Sequence, residues 1–164
     1  MRVVFILFLS LVFISPAYAK SPLMGVKAPD FNERDLEGRF QSPSNHAGQY
    51  LVIYFWGSWC PSCSRQAPHM RKLFNQYARP GLAWISVALD ENLKDVKKFT
   101  AENGTPYPVL FDGRIFDNKI AKLYGVSHTP TFFLIDRDGN VMAEGAFNYE
   151  LTVFLETLVK AKKL

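Results

Sequence analysis

Leu51-Val52-Ile53-Tyr54-Phe55-Trp56-Gly57-Ser58-Trp59-Cys60-Pro61-Ser62-Cys63 decides how the rest of the 164-residue chain is read. An apolar run leads into the only two cysteines of the protein, and a stretch that can be helical, Ser64 to Ala78, follows them. A strand that turns through Cys-x-x-Cys into a helix places the first thiol at the helix N-terminus. Unpaired backbone N–H groups and the partial positive charge of the helix favour thiolate over thiol there. Cys63, one turn further in, is placed to attack a mixed disulfide on Cys60, which is the chemistry of thiol–disulfide exchange.

The same spacing is also half of a zinc site. Structural zinc needs four nitrogen or sulfur ligands, and there is no second cysteine pair. His46, His69 and His128 are not spaced as a ligand pair. A purely structural disulfide closing so short a loop would remove little chain entropy. A redox role is the better reading of the pair.

Outward toward the N-terminus, Met1-Arg2 is followed by an apolar run, Val3 to Ile14, and then by Ala17-Tyr18-Ala19. A short basic start, an apolar core and an Ala-x-Ala site describe a secretory signal peptide, residues 1–19, cleaved after Ala19. An uncleaved N-terminal membrane anchor is the alternative, although the run is shorter than the roughly 18 to 20 residues that span a bilayer. Export gives the cysteines meaning: in an oxidising compartment they normally act as staples. One close pair has little to staple.

Residues 20–164 have the length of one domain. Hydrophobic residues make up 48% of the chain, enough for a real core, and its formal net charge of +4 is scattered. The Lys160, Lys162, Lys163 tail reads as a solvated helix end, so nucleic acid is not an expected partner. Phe31 and Phe40 flank a hairpin turn at Asp35-Leu36-Glu37-Gly38-Arg39. Pro68 falls inside the helix after Cys63, and Pro80-Gly81 stops it. Leu82–Leu89 reads as a strand, Leu93–Glu102 as a helix ended by Gly104, Tyr107–Phe111 as a short strand and Ile115–Tyr124 as a helix. Thr131–Ile135 and Val141–Ala146 form a hairpin around Asp136-Arg137-Asp138-Gly139-Asn140, and Tyr149–Lys162 is an amphipathic closing helix.

In this order the elements resemble the TlpA-like thioredoxin-fold group, exported reductases related to cytochrome c maturation thioredoxins. Four patterns carry the likeness across the exported part of the chain. They are Gly25 to Phe31, with Ala28-Pro29-Asp30-Phe31; Phe55 to Cys63, with Pro68 beyond it; Gly125 to Asp136, around Pro130; and a helix and strand inserted at about Leu93 to Phe111. The resemblance implies an α/β thioredoxin-like fold: a central mixed sheet flanked by helices, with an N-terminal hairpin and a central helix–strand insertion. It implies Cys60 as attacking thiolate, Cys63 as resolving thiol, Trp59 as a cover, and Pro130, if cis, presenting the backbone of Thr129 to substrate. Pro61 and Ser62, between the cysteines, are similar to the Pro-Thr of cytochrome c maturation reductases and would modulate the pair.

Two departures stand out. Where thioredoxins carry a buried acid this chain has Tyr54, and Ser86 replaces the lysine that partners it. Gln66 stands where TlpA-like reductases often place a glutamate, so neither familiar proton acceptor for Cys63 is present. His128, two residues before Pro130, is either a surface residue, a cation favouring the Cys60 thiolate, or the third ligand of a Cys60, Cys63, His128 copper site. The expectation is a periplasmic thiol–disulfide oxidoreductase, monomeric, reducing protein disulfides such as those of apocytochrome c. No cofactor beyond the Cys60–Cys63 disulfide is expected, nor a metal. Electrons would come from a membrane thiol-transfer donor, since no nicotinamide or flavin motif is present. The alternatives are a thioredoxin-fold copper chaperone and a peroxiredoxin-like peroxidase. The latter wants a hydroxyl three residues before the reactive cysteine, where Gly57 stands.

Overall fold

A computed structural model describes residues 22–78 and 81–164. The proposed signal peptide lies outside the described residues, as does Pro80. Short strands β1 (Glu33–Arg34) and β2 (Phe40–Gln41) form the N-terminal hairpin, with Gly38 at φ 80° in its turn. The buried Asp35 carboxylate holds that turn through Glu37 N–H, Arg39 N–H, the Arg39 guanidinium and Gln41. After a 3-10 turn at Pro43–His46 come β3 (Tyr50–Trp56), α1 (Pro61–Tyr77), β4 (Leu82–Ala88), α2 (Leu93–Asn103) and β5 (Val109–Phe111). Then follow α3 (Lys119–Leu123), β6 (Thr131–Ile135), β7 (Val141–Gly145) and α4 (Asn148–Lys160).

The five longer strands form one mixed sheet in the order β5-β4-β3-β6-β7. β4 runs parallel to β3 and β5 parallel to β4, whereas β6 and β7 are antiparallel to their neighbours. Every residue of β3 is buried, as expected of a central strand covered on both faces. Its side chains alternate between two cores. Tyr50, Val52, Tyr54 and Trp56 join α1, α2 and α4 around Met70, Val96 and Leu155, together with both cysteines. Leu51, Ile53 and Phe55 join Phe31, Ile120, Tyr124 and Phe133 on the other face. This is the thioredoxin-like architecture, insertion and hairpin included.

One expected element is different. The single helix over Ile115–Tyr124 is a 3-10 turn, Ile115–Asp117, and the short α3, separated at Asn118. Asn118 has extended backbone (ψ 134°), and its buried side chain accepts from Ile120 N–H at 2.9 Å and Ala121 N–H at 3.0 Å. An asparagine that can cap a new helix competes with continuing the old one. The strand expected from Tyr107 starts at Val109, although the Pro108 carbonyl already accepts from Ser86 N–H. Helix α1 starts at Pro61, earlier than Ser64, and keeps Pro68 within its span.

Candidate active site

The cysteines sit where β3 hands over to α1. Cys60 is the N-cap of α1, and Pro61 follows at a position where a missing N–H costs no helical bond. The Cys63 N–H donates to Cys60 Sγ at 3.1 Å, and Ser64 N–H donates to the Cys60 carbonyl at 3.1 Å. A sulfur thus occupies the place of the usual capping oxygen. No acidic residue lies in the first turn of α1 to neutralise the helix charge. Cys60 and Cys63 form a disulfide with Cα atoms 5.2 Å apart, and they are only 3% and 1% exposed. Pro61 is exposed, and half-buried Ser62 accepts from Arg65 at 2.9 Å through its hydroxyl.

The loop before β6 closes the other side. The Thr129–Pro130 peptide is cis, Pro130 is buried, and the Thr129 carbonyl oxygen lies 3.6 Å from Cys60 Sγ. The Thr131 hydroxyl donates to the His128 carbonyl at 2.9 Å, fixing the loop where β6 begins beside Phe55. Thr129 Oγ1 is buried without a hydrogen-bond partner among the described residues. His128 is exposed. Among the described residues no three His, Cys, Asp or Glu side chains are grouped to hold a metal ion, the Cys60, Cys63, His128 trio included.

Trp59 lies over this end of the molecule, 49% exposed. Its indole N–H donates to the Leu89 carbonyl at 2.6 Å, and its ring meets Phe116 edge to face, centroids 6.0 Å apart. Gly57 makes the arrangement fit: a Cβ there would stand 2.6 Å from the indole nitrogen. The hydroxyl side chain of a peroxiredoxin-type site is therefore excluded while Trp59 is held this way.

Sequence reasoning missed one buried group. Asp90, 3% exposed, directs its carboxylate at Ser58: the Ser58 N–H donates to its oxygens at 3.2 and 3.1 Å, and the Ser58 hydroxyl at 2.5 Å. Burial pushes its carboxyl above the ordinary carboxylate range, and Asp95 adds to this against the opposing Ser58 bonds. A signal existed in the register. Trp56 pairs with Ala88, so two residues beyond each strand end bring Ser58 opposite Asp90.

The residues replacing the family acids have other engagements. Tyr54 pairs with Ser86 across β3 and β4, and the Ser86 hydroxyl donates to the Pro108 carbonyl at 3.0 Å. Among the described residues the buried Tyr54 hydroxyl has no hydrogen-bond partner; burial, with Tyr107 close by, drives its pKa upward. Gln66 reaches α4: its carbonyl oxygen accepts from Asn148 N–H at 2.9 Å, and its amide donates to Ala146 O at 3.5 Å. His69 Nε2 lies 3.1 Å from the Thr152 hydroxyl, and burial lowers the pKa of His46.

A Cys-x-x-Cys disulfide at the start of the helix after the central strand, facing a cis-proline loop from the same sheet, defines a thioredoxin-fold protein with a dithiol/disulfide centre. The chain belongs to the AhpC/TSA family, which it matches over residues 24–144. It is 36% identical over 118 residues to the thiol-disulfide oxidoreductase ResA of Geobacillus thermodenitrificans, covering 72% of this chain and 66% of that protein. ResA of Bacillus thuringiensis is 36% identical over 121 residues, covering 74% and 68%. The chain thus spans about two thirds of the length of these relatives. A Chlorobium tepidum structure assigned as the thiol:disulfide interchange protein DsbE is 33% identical, with a TM-score of 0.71 over 82% of this chain and 94% of that one. The thioredoxin domain of a thiol-disulfide oxidoreductase from Bacteroides vulgatus, 24% identical, shares the fold with a TM-score of 0.74 over 83% and 97%. The TlpA-like resemblance read from the sequence is borne out by these relatives.

Proposed function

We propose that this protein is an extracytoplasmic thiol–disulfide oxidoreductase that reduces disulfides in exported proteins, with haem-attachment cysteines of apocytochrome c among its substrates. The observation that carries the reading is Cys60 as sulfur cap of α1, with the Thr129 carbonyl beside it. In the dithiol form the Cys60 thiolate attacks one sulfur of a substrate disulfide. That S–S bond breaks, a mixed disulfide forms, and the departing substrate thiolate takes a proton. Cys63, deprotonated in turn, attacks Cys60 Sγ, releasing the second substrate thiol and leaving the Cys60–Cys63 disulfide. Two electrons have then passed to the substrate. A dithiol donor, of the kind a membrane thiol transporter presents, returns them by the same two exchanges.

The backbone of Thr129 is the pairing edge for an extended substrate, and Trp59 restricts access to the sulfurs. The proton of Cys63 passes to water or to the departing substrate thiolate, because the Tyr54 hydroxyl has a raised pKa and no partner among the described residues. Export rests on the leader in residues 1–19; among the described residues no helix is long and apolar enough to cross a membrane. The protein acts as a monomer.

The test is the equilibrium of the pair with glutathione, together with reduction of insulin. A reductase should have a potential well below the roughly −120 mV of DsbA-type oxidants. A value as oxidising as that, or no insulin reduction by the dithiol form, would overturn the reading.

A further inference from the structure

We propose that Asp90 is a positioning residue that fixes the Ser58–Trp59 segment leading into Cys60 and, as a carboxylate, opposes ionisation of Cys60, making the pair a stronger reductant. The proposal rests on Cys60–Cys63 being the working pair. Its first basis is the hydrogen bonding. All the Ser58 donors reach the same carboxyl group, and the residue after Ser58 is joined to the residue before Asp90 by the bond from the Trp59 indole to the Leu89 carbonyl. A backbone N–H and a hydroxyl converging on one group is an acceptor arrangement, which suits the carboxylate form.

Its second basis is distance and solvation. Ser58 is two residues from Cys60, and two residues of chain span at most roughly 7 Å. The carboxylate touching Ser58 is thus on the order of 10 Å from the Cys60 sulfur, and Asp90 and Cys60 are each only 3% exposed. Among the described residues Asp90 forms no ion pair; Asp95 of α2 acts on it in the same sense, and Glu91 follows it in the chain. At an effective dielectric of about 20 a like charge at that distance changes thiolate formation by roughly tenfold. The disulfide carries no charge and is unaffected. The dithiol form, stabilised by its thiolate, is penalised.

The equilibrium that reads this is balanced: the Cys60–Cys63 disulfide and two glutathione thiols give the dithiol and glutathione disulfide, two electrons and two protons moving together. In Asp90→Asn an amide oxygen still accepts from Ser58 while the charge is gone. At pH 7.5 the variant should shift toward the dithiol by up to roughly tenfold, about 30 mV, and Cys60 should alkylate with a lower pH midpoint. Both differences should fade as pH falls through the range where Asp90 takes up its proton. Ser58→Ala removes a donor to the carboxylate but keeps the charge, so the pH at which the effect sets in should rise. A folded Asp90→Asn protein with unchanged potential and unchanged Cys60 titration, or with a shift independent of pH, would overturn the proposal. The Cys60 titration is read by alkylation alone, so a protein that fails to reduce insulin would sink the proposed function without masking this result.

Discussion

Two helices of this protein begin in the same way and do different things. Helix α1 leaves β3 through Gly57-Ser58-Trp59-Cys60, and α2 leaves the parallel neighbour β4 through Leu89-Asp90-Glu91-Asn92. Each connection ends in an N-cap with extended backbone, Cys60 at φ −89° and Asn92 at φ −118°. In α2 the Asn92 side-chain oxygen accepts from Lys94 N–H at 2.9 Å, and Asp95 meets the helix charge in the first turn. In α1 the acceptor is a sulfur and no acid is present. The α2 cap is complete in the ground state, whereas the α1 cap improves only when Cys60 becomes a thiolate. The two connections also hold each other, Ser58 to Asp90 and Trp59 to Leu89. The lesson is that the reactive cap is the structural cap with its oxygen and its acid withheld.

That comparison is broken most sharply at Cys60. Cys60→Ser supplies the capping oxygen that α1 lacks and removes the nucleophile. Insulin reduction should fall on the order of 10³-fold or more, while the thermal melt shows no loss of stability relative to the reduced wild type. Cys63→Ser, by contrast, leaves the cap and nucleophile in place and should accumulate mixed disulfides visible on non-reducing gels. Equal trapping by the two variants would mean that the roles are misassigned.

A smaller effect is expected at the other cap. Asn92→Ala should cost about 1 kcal/mol, or about 2–4 °C in Tm, and leave the potential of the cysteine pair nearly unchanged. If it moved the potential as far as Asp90→Asn does, the two connections would be coupled through more than the Ser58–Asp90 contact.

The smallest effect concerns stability against pH. The Asp90 carboxyl has a folded-state pKa above its unfolded value, for reasons led by burial. Its contribution to stability is therefore full below the unfolded pKa of about 3.9 and is lost as pH rises through the higher folded value. Melting curves of the wild type and Asp90→Asn should converge near pH 4, and the variant should melt higher at pH 7. Parallel curves over that range would mean that Asp90 keeps one protonation state throughout.

Features built from neighbours in the chain were legible in the sequence. Cys60 to Cys63 spans one helical turn, and the thiol at a helix start follows from an apolar run meeting a helix former. The hairpins at Gly38 and Gly139 and the helix stop at Gly104 rest on glycines at positive φ, whose pattern is local. The break at Asn118 was not legible, because its apolar spacing suits one helix and only the capping bonds to Ile120 and Ala121 divide it.

By itself the sequence determined the alternation of strands and helices, the reactive pair and its place at a helix N-terminus, since each depends on spacing over a few residues. Tertiary structure alone decided what surrounds the pair. Thr129, 69 residues away from Cys60, is brought to it by the antiparallel pairing of β6 with β3. Asp90, 32 residues from Ser58, arrives through the parallel register of β4, and Gln66 is turned away to α4 by Asn148, 82 residues on. Sheet register and packing set those distances, and no short-range pattern encodes which side chain ends up opposite which.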